Sequence, residues 1–503
     1  MFLCRLSQVI FAVIILLMVS VKVHPSEIGF SAEDYLSLAN NALSSDANEK
    51  AIDLYLKGIH ALTNDESLLT ILSLETNLAS AYSSIGDNEK AIIHYQKAIS
   101  SYNELIDEIV DKQLIDQAKG IASQSSLFLG MVLQDAGEPR KALDAYGYAV
   151  VLDPKTWAAL ANLGSVLHDQ LGNHDEALDA YNKAYEILTE VKDPTDAPEE
   201  PRFILSQLQY RIGLCLTHDP ERKCALATDP TKEVSCKEMA THAFSLAVQY
   251  DPSNEAAKHM LATITADATM KRASNTYVKN LFDDYAQNFE HSLVQELGYN
   301  GYERLRRGFD RAFGGESFVP MFSLVVDAGC GTGLVGEQFR NVSSYMIGVD
   351  LSQAILDEAE KLRPKLYDER IAGDITDVFR EKKPISLIVA ADSYIYFGDL
   401  DPLFDAMEDG MDDGAYAAFT LENVNADDEV TLDESKPDWR WQLTPSGRFA
   451  HRKQYVLHVA QAHHLALIHY EILDGFRYEH GRKVRGHLFV MQKKVAGISN
   501  DEL

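Results

Sequence analysis

A run of apolar residues that ends in an acid and breaks into alternating glycines constrains the fold of this chain more than any other stretch. It reads Val325-Val326-Asp327-Ala328-Gly329-Cys330-Gly331-Thr332-Gly333. The apolar part reads as a buried strand, and the glycines let the following turn bring backbone N–H groups up to a ligand, with a helix N-terminus behind them. Seventeen residues after Gly333 a second apolar run, Met346-Ile347-Gly348-Val349, ends in Asp350. An acid at the tip of the next strand suits a ribose diol, as in nucleotide-binding α/β sheets. The same segment also reads Gly331-x-Gly333-x-x-Gly336, the spacing of a nicotinamide or flavin dinucleotide site. A glycine turn with a structural role alone is the third reading.

Two details separate these readings. Asp327 stands two residues before the first glycine, and the leading spacing is Gly-x-Gly-x-Gly. In this form the residues resemble motif I of class I S-adenosylmethionine-dependent methyltransferases, an apolar strand followed by D-x-G-C-G-T-G. The segment Tyr277-Val278-Lys279-Asn280-Leu281-Phe282-Asp283-Asp284-Tyr285-Ala286-Gln287-Asn288-Phe289-Glu290 and the later Trp441–His451 resemble a methyltransferase type 11/12-like group that carries tetratricopeptide repeats. The resemblance covers about residues 254–494. It implies a Rossmann-like α/β domain with a mostly parallel seven-stranded sheet, and S-adenosyl-L-methionine as cofactor. By the same resemblance Asp327, Gly329, Gly331, Gly333, Asp350 and Leu351 belong to the cofactor site. Asp374 contacts the adenine amino group, and the backbone N–H of Ile375 meets the ring. The helix with Tyr285 folds over the ligand; Phe282, Tyr285 and Phe289 also have the spacing of a core stripe.

The remaining order fits the same class. Ser386–Ala391 is an apolar fourth strand that ends at Asp392-Ser393-Tyr394-Ile395-Tyr396, Ala415–Leu421 is a fifth, and Leu465–Ile472 with His487–Gln492 reads as an antiparallel pair. Parallel strands place ligands outside their carboxyl ends, so Asp392 and Tyr394 are expected to face the ligand. Methyl transfer from a sulfonium needs in-line positioning, and a base only where the acceptor must first lose a proton. Asp392, Tyr394 and His451 are the candidate catalytic residues, with Asp392 also a cofactor contact; Arg448 and Tyr394 are the candidate substrate contacts. No spacing matches a metal site.

Between residues 33 and 268 a helical pattern recurs that resembles the tetratricopeptide repeat. Leu78, Ala79, Tyr82, Ala91, Tyr95 and Ala98 define one copy; Leu129, Gly130, Leu133, Ala142, Tyr146, Ala149 and Pro154 the next; Leu163, Gly164, Leu167, Ala177, Tyr181 and Ala184 another, with one extra residue in its turn. Leu38, Ala39, Ala42, Ala51 and Tyr55 form a weaker first copy. Ile212, Gly213, Leu216, Ala240, Phe244, Ala247 and Pro252 form a fifth, interrupted by an insertion holding Cys224. Small residues let paired helices approach while the aromatic fills the gap, and several pairs must stack to bury their apolar faces. The uneven spacing predicts longer helices or loops between copies. An all-α superhelix of this kind presents a surface for a protein or peptide, or serves for dimerisation.

The expected organisation is therefore a signal peptide or signal anchor over 1–25, repeats over 31–253, a linking helix over 254–276, the methyltransferase domain over 277–494 and a tail over 495–503. The 46 basic and 76 acidic residues give a net charge of −30, which disfavours nucleic acid as a partner. The apolar run Val9–Val21 is short for a membrane span and fits a signal-peptide core, and the chain ends Asn500-Asp501-Glu502-Leu503, similar to a lumenal retention signal. The secretory pathway, and within it the endoplasmic reticulum, is the expected location; an uncleaved membrane anchor is the alternative. Cys224 and Cys236 are placed to close a small loop in an oxidising compartment, and Asn341-Val342-Ser343 is a glycosylation sequon. Two other functions stay open: a scaffold with a silent methyltransferase fold, and a small-molecule carboxyl methyltransferase.

Overall fold

In three of the repeats a glycine at the small-residue position meets an aromatic ring from the next helix, and the described residues of the repeats form five helix pairs. The pairs are α1 (Ala32–Ser44) with α2 (Asn48–His60), α3 (Leu68–Ser84) with α4 (Asn88–Leu105), α5 (Lys112–Asp135) with α6 (Pro139–Leu152), α7 (Trp157–Ser165) with α8 (His174–Thr189), and α9 (Glu199–Thr217) with α10 (Cys236–Tyr250). Tyr55, Tyr95, Tyr146, Tyr181 and Phe244 are all buried. A Cβ on Gly164 would stand 2.8 Å from the Tyr181 ring and one on Gly130 2.5 Å from the Tyr146 ring; Phe244 covers Gly213 in the same way. The uneven spacing comes from length: α4 has 18 residues and α5 has 24. The extra residue of the fourth pair is absorbed as a π turn over Val166–Gln170, which widens the helix end without breaking it. The insertion before α10 folds as two short strands, β1 (Lys223–Leu226) and β2 (Asp229–Ser235), and a disulfide joins Cys224 to Cys236.

This computed structural model describes residues 30–63, 66–189, 199–219, 221–226, 229–286, 289–296, 298–424, 439–479 and 482–495. The segment Val9–Val21 and the terminal Asn500–Leu503 lie outside them. Among the described residues no helix is long and apolar enough to cross a membrane. The chain divides into two compact units between Asn254 and Glu255.

The second unit is built on a sheet whose strands lie in the order Leu465–Glu479, Arg482–Lys493, Met411–Asn423, Ile385–Ala390, Phe322–Ala328, Ser343–Asp350 and Glu369–Ala372. Its central strands are β3 (Phe322–Ala328), β4 (Ser343–Asp350), β5 (Glu369–Ala372), β6 (Ile385–Ala390) and β7 (Met411–Asn423), all parallel to one another. Near-continuous burial along β3 and β6 reflects helices on both faces. At one edge β11 (Arg482–Lys493) runs antiparallel to both β7 and β10 (Leu465–Glu479). Two short strands, β8 (Trp441–Leu443) and β9 (Phe449–His451), extend the sheet: β9 pairs the tip of β7 at Glu422 and Asn423, beyond the last β6 partner Phe419. This is the expected seven-stranded class I methyltransferase-like sheet, with two small additions.

The expected linking helix is α11 (Glu255–Thr265), and it belongs to the second unit. The His259 ring stacks on Tyr277 at 4.2 Å and its Nε2–H donates to the Gly447 carbonyl at 2.7 Å. The following residues are tied in as well: Trp441 donates to the Met270 carbonyl, and the backbone N–H groups of Gly398 and Asp399 to that of Lys271. The arginine-rich helix α13 (Gly301–Ala312) spends its charge on acids, with Arg306 on Asp310 and Arg311 bidentate on Glu471 at 2.6 Å.

Candidate functional site

The turn between β3 and α14 (Leu334–Phe339) places Gly329, Gly331 and Gly333 at φ +72°, +54° and +98°, where a side chain brings strain. A Cβ on Gly329 would also run into Ser393, and one on Gly331 would lie 3.2 Å from the Phe289 ring. Asp350 spans the turn: its Oδ2 accepts from the Gly331 N–H at 3.1 Å and its Oδ1 from Ser352 N–H at 3.0 Å. Burial pushes the Asp350 carboxyl up to about 6. Asp327 lies wholly buried behind the turn, accepts from the Tyr367 hydroxyl at 2.6 Å, and is pushed by burial up to about 7. The Tyr367 ring occupies the space that side chains on Gly336 and Gly348 would need. The third glycine of the dinucleotide-like spacing thus serves Tyr367 rather than a ligand.

In front of the turn lies a cavity of about 370 Å³. Helix α12 (Asn275–Tyr285), capped by Ser274, is strapped across it together with Phe289 and Glu290. Arg272 and Asn275 donate to Asp374 Oδ2 at 2.7 and 2.8 Å, Ser352 to Asp283 Oδ1 at 2.5 Å, and Thr332 and Arg363 to Glu290 at 2.8 and 2.7 Å. Phe282, Tyr285, Phe289, Tyr299, Tyr396 and Phe397 supply aromatic wall, with Asp350, Asp392 and Arg448 among the polar groups. Phe282 is at once wall and core, edge-on to Phe289 at 5.7 Å and to Tyr396 at 5.9 Å.

Of the residues expected in the site, Gly329, Gly331, Asp350, Leu351, Ile375, Asp392, Tyr285 and Arg448 line this cavity. Five do not. Asp327 lies behind the turn, and Gly333 backs onto Leu366 as it opens α14. Asp374 caps α15 (Ile375–Glu381): its Oδ1 takes the Thr376 N–H and hydroxyl, and its Oδ2 takes Arg272 and Asn275. Although burial opposes it, these hydrogen bonds and the Arg272 charge hold that carboxyl below the ordinary range. Tyr394 is turned into the core by a one-turn 3₁₀ helix, Tyr394–Tyr396, and packs tilted against Phe419 at 5.4 Å; Ile395 and Tyr396 face the cavity in its place. His451 is fully buried, its Nε2–H given to the Gly398 carbonyl at 3.1 Å, and burial lowers its pKa to about 3. A buried, neutral imidazole away from the cavity corrects its place among the candidate bases.

The cavity also uses residues that no local pattern marks. Tyr299 lines it. Arg477, wholly buried, donates to Asp392 Oδ1 at 2.5 Å and to Glu422 Oε2 at 2.7 Å.

Residues 76–104 and 129–197 match tetratricopeptide-repeat profiles. No curated protein matches the chain. Among solved structures, YrrB, a TPR protein with an unusual peptide-binding site, is 20% identical, covers 45% of this chain and 90% of that chain, and gives a TM-score of 0.31. The magnesium protoporphyrin IX methyltransferase ChlM from Synechocystis PCC 6803 with bound SAM is 10% identical, with 44% and 97% covered and a TM-score of 0.32. The [4+2]-cyclase SpnF is 12% identical, with 45% and 99% covered and a TM-score of 0.36. Tetratricopeptide repeats are followed here by a class I methyltransferase-like fold, which the strand order of the second unit itself defines.

Proposed function

We propose that the second unit binds S-adenosylmethionine and transfers its methyl group, and that the repeats recruit a protein partner or substrate. The observation that carries this is Asp350, a carboxylate held across the glycine turn and lining the cavity beside Leu351 and Ile375. Vicinal hydroxyls of a ribose donate to such a carboxylate, and the two aliphatic side chains suit a purine face. When bound, the cofactor supplies a methyl group on a sulfonium. The chain supplies position: the strapped helix α12 with Phe282 and Phe289 keeps water from the cavity, and the turn fixes the ligand's direction. Asp392 also lines the cavity, ion-paired to Arg477 at 2.5 Å, and an acceptor with a free lone pair needs no base. A wholly buried Asp327 and a half-buried Asp350 at one turn are costly, and a silent scaffold has no need of them.

Tritium- or carbon-labelled methyl transfer from S-adenosylmethionine into lysate proteins, with an Asp350→Ala control, tests this reading. Label in protein bands that disappears in the control is expected; no transfer to any protein or metabolite contradicts it. Arg448, which lines the cavity, favours a second reading, a small carboxylate acceptor with the repeats used for assembly. Label confined to the metabolite fraction selects it.

The proposed location is the secretory pathway. A disulfide between Cys224 and Cys236 supports an oxidising compartment. Protease protection of a tagged chain in intact microsomes is expected; digestion of the tag with no glycan on Asn341 rejects it.

A further inference from the structure

Arg477 is among the largest side chains that this fold buries completely, at 0% exposure. A guanidinium cannot shed its charge, so its burial demands partners. Glu422, 6% exposed, is one, and the pair is already neutral. The third member, Asp392, is held at 2.5 Å on the other side of the guanidinium. Two backbone distortions create that contact. The pairing of β10 with β11 slips between Asp474 and Arg477, with Gly475 at φ +64°, and such a bulge re-aims the side chains beyond it. At the end of β6, Asp392 itself has φ +58°, uncommon for a residue other than glycine, and its N–H is fixed on Thr420 Oγ1 at 2.9 Å. Of the three charged groups, Asp392 alone lines the cavity. With Oδ1 taken by Arg477, Oδ2 is the carboxylate's remaining acceptor.

We propose that Arg477, backed by Glu422, is a positioning residue that holds Asp392 to accept a hydrogen bond from the cationic amino group at the amino-acid end of the cofactor. This rests on the S-adenosylmethionine reading. The order of groups along the cavity supports it. Asp350, Leu351 and Ile375 lie on one side of the turn, and Ser393, next in chain to Asp392, abuts Gly329 on the other. A ligand with its ribose on Asp350 extends its sulfur and amino-acid arm past Gly329 towards Asp392. Beside Asp392 and Ser393, the polar side chains at that end include Tyr299, Tyr396 and Arg448.

Calorimetry on the full chain with two probes tests this: S-adenosylhomocysteine, and 5′-methylthioadenosine, which keeps the adenosine and sulfur but lacks the arm. The wild type is expected to prefer S-adenosylhomocysteine by at least about tenfold. Asp392→Asn and Arg477→Lys should each abolish most of that preference while leaving methylthioadenosine within about twofold, and together they should lose no more than either alone, because they act through one contact. The pair Arg477→Met with Glu422→Leu removes the buried ions as a neutral unit and gives the same readout if Arg477→Lys does not fold. An equal loss for both probes is the mark of a merely structural Arg477 and overturns the proposal. So does a preference that survives in the Arg477 variants or in Asp392→Asn. Binding of neither probe by the wild type overturns the cofactor reading itself.

Discussion

At the scale of single residues, Asp327 and Asp350 are pushed up by burial to about 7 and about 6, one behind the glycine turn and the other facing the cavity. For acids with raised values the folded chain holds protons that the unfolded chain releases above about pH 4. Their contribution to stability is therefore full at low pH and is lost as pH rises through the folded values. Wild type should gain stability relative to Asp327→Asn as pH falls from 8 to 6, measured as the gap in Tm; a constant gap contradicts this. Ligand binding runs the other way, since Asp350 must be ionised to accept two hydroxyls: affinity for S-adenosylhomocysteine should fall below about pH 6. Asp350→Ala should show no such fall. Tyr367→Phe takes the hydroxyl donor from a buried carboxyl and should cost about 1–3 kcal/mol, read by denaturant unfolding. The glycines and Asp350 were legible because turn and strand tip are local. Tyr367 and Arg477 were not, because each meets its carboxylate across 40 and 85 residues. Sequence alone misplaces Tyr394 and His451 for a related reason: closeness to a strand end does not say which way a 3₁₀ turn or a three-residue strand points its side chains.

At the scale of elements, the repeats make a sharp contrast between two glycines. Gly164 lies under the Tyr181 ring with no room for a Cβ, whereas Gly120 in α5 has open space. Gly164→Leu should therefore open the α7–α8 pair and destabilise the first unit by about 1–3 kcal/mol or more. Gly120→Ala should stabilise it by up to about 1 kcal/mol, because it only removes backbone freedom from a helix interior. Denaturant unfolding followed by circular dichroism checks both, and equal effects would contradict the ring contact. Small residues facing aromatics made the helix pairs readable. Helix lengths were not, since the 24 residues of α5 and the π turn at Val166–Gln170 answer to neighbouring helices rather than to a local signal. The edge strands were readable up to Ile472; beyond it the bulge at Gly475 interrupts the pattern while β10 continues to Glu479.

At the scale of the whole molecule, repeats and glycine turn together announced two kinds of architecture in one chain, and the boundary between Asn254 and Glu255 separates them. Sequence alone reads α11 as a link, because its partner Gly447 lies 188 residues from His259 and no sequence pattern reaches that far. The central claim is that the cavity of the second unit is built for S-adenosylmethionine around Asp350. Titration of the purified full chain with S-adenosylhomocysteine, beside Asp350→Ala and with NAD as the competing ligand, tests it most directly. The account predicts one site per chain, no heat with NAD, and a loss on the order of 2–4 kcal/mol, or roughly 30- to 1000-fold in affinity, in Asp350→Ala. Binding of NAD in place of S-adenosylhomocysteine, or unchanged affinity in Asp350→Ala, would contradict it.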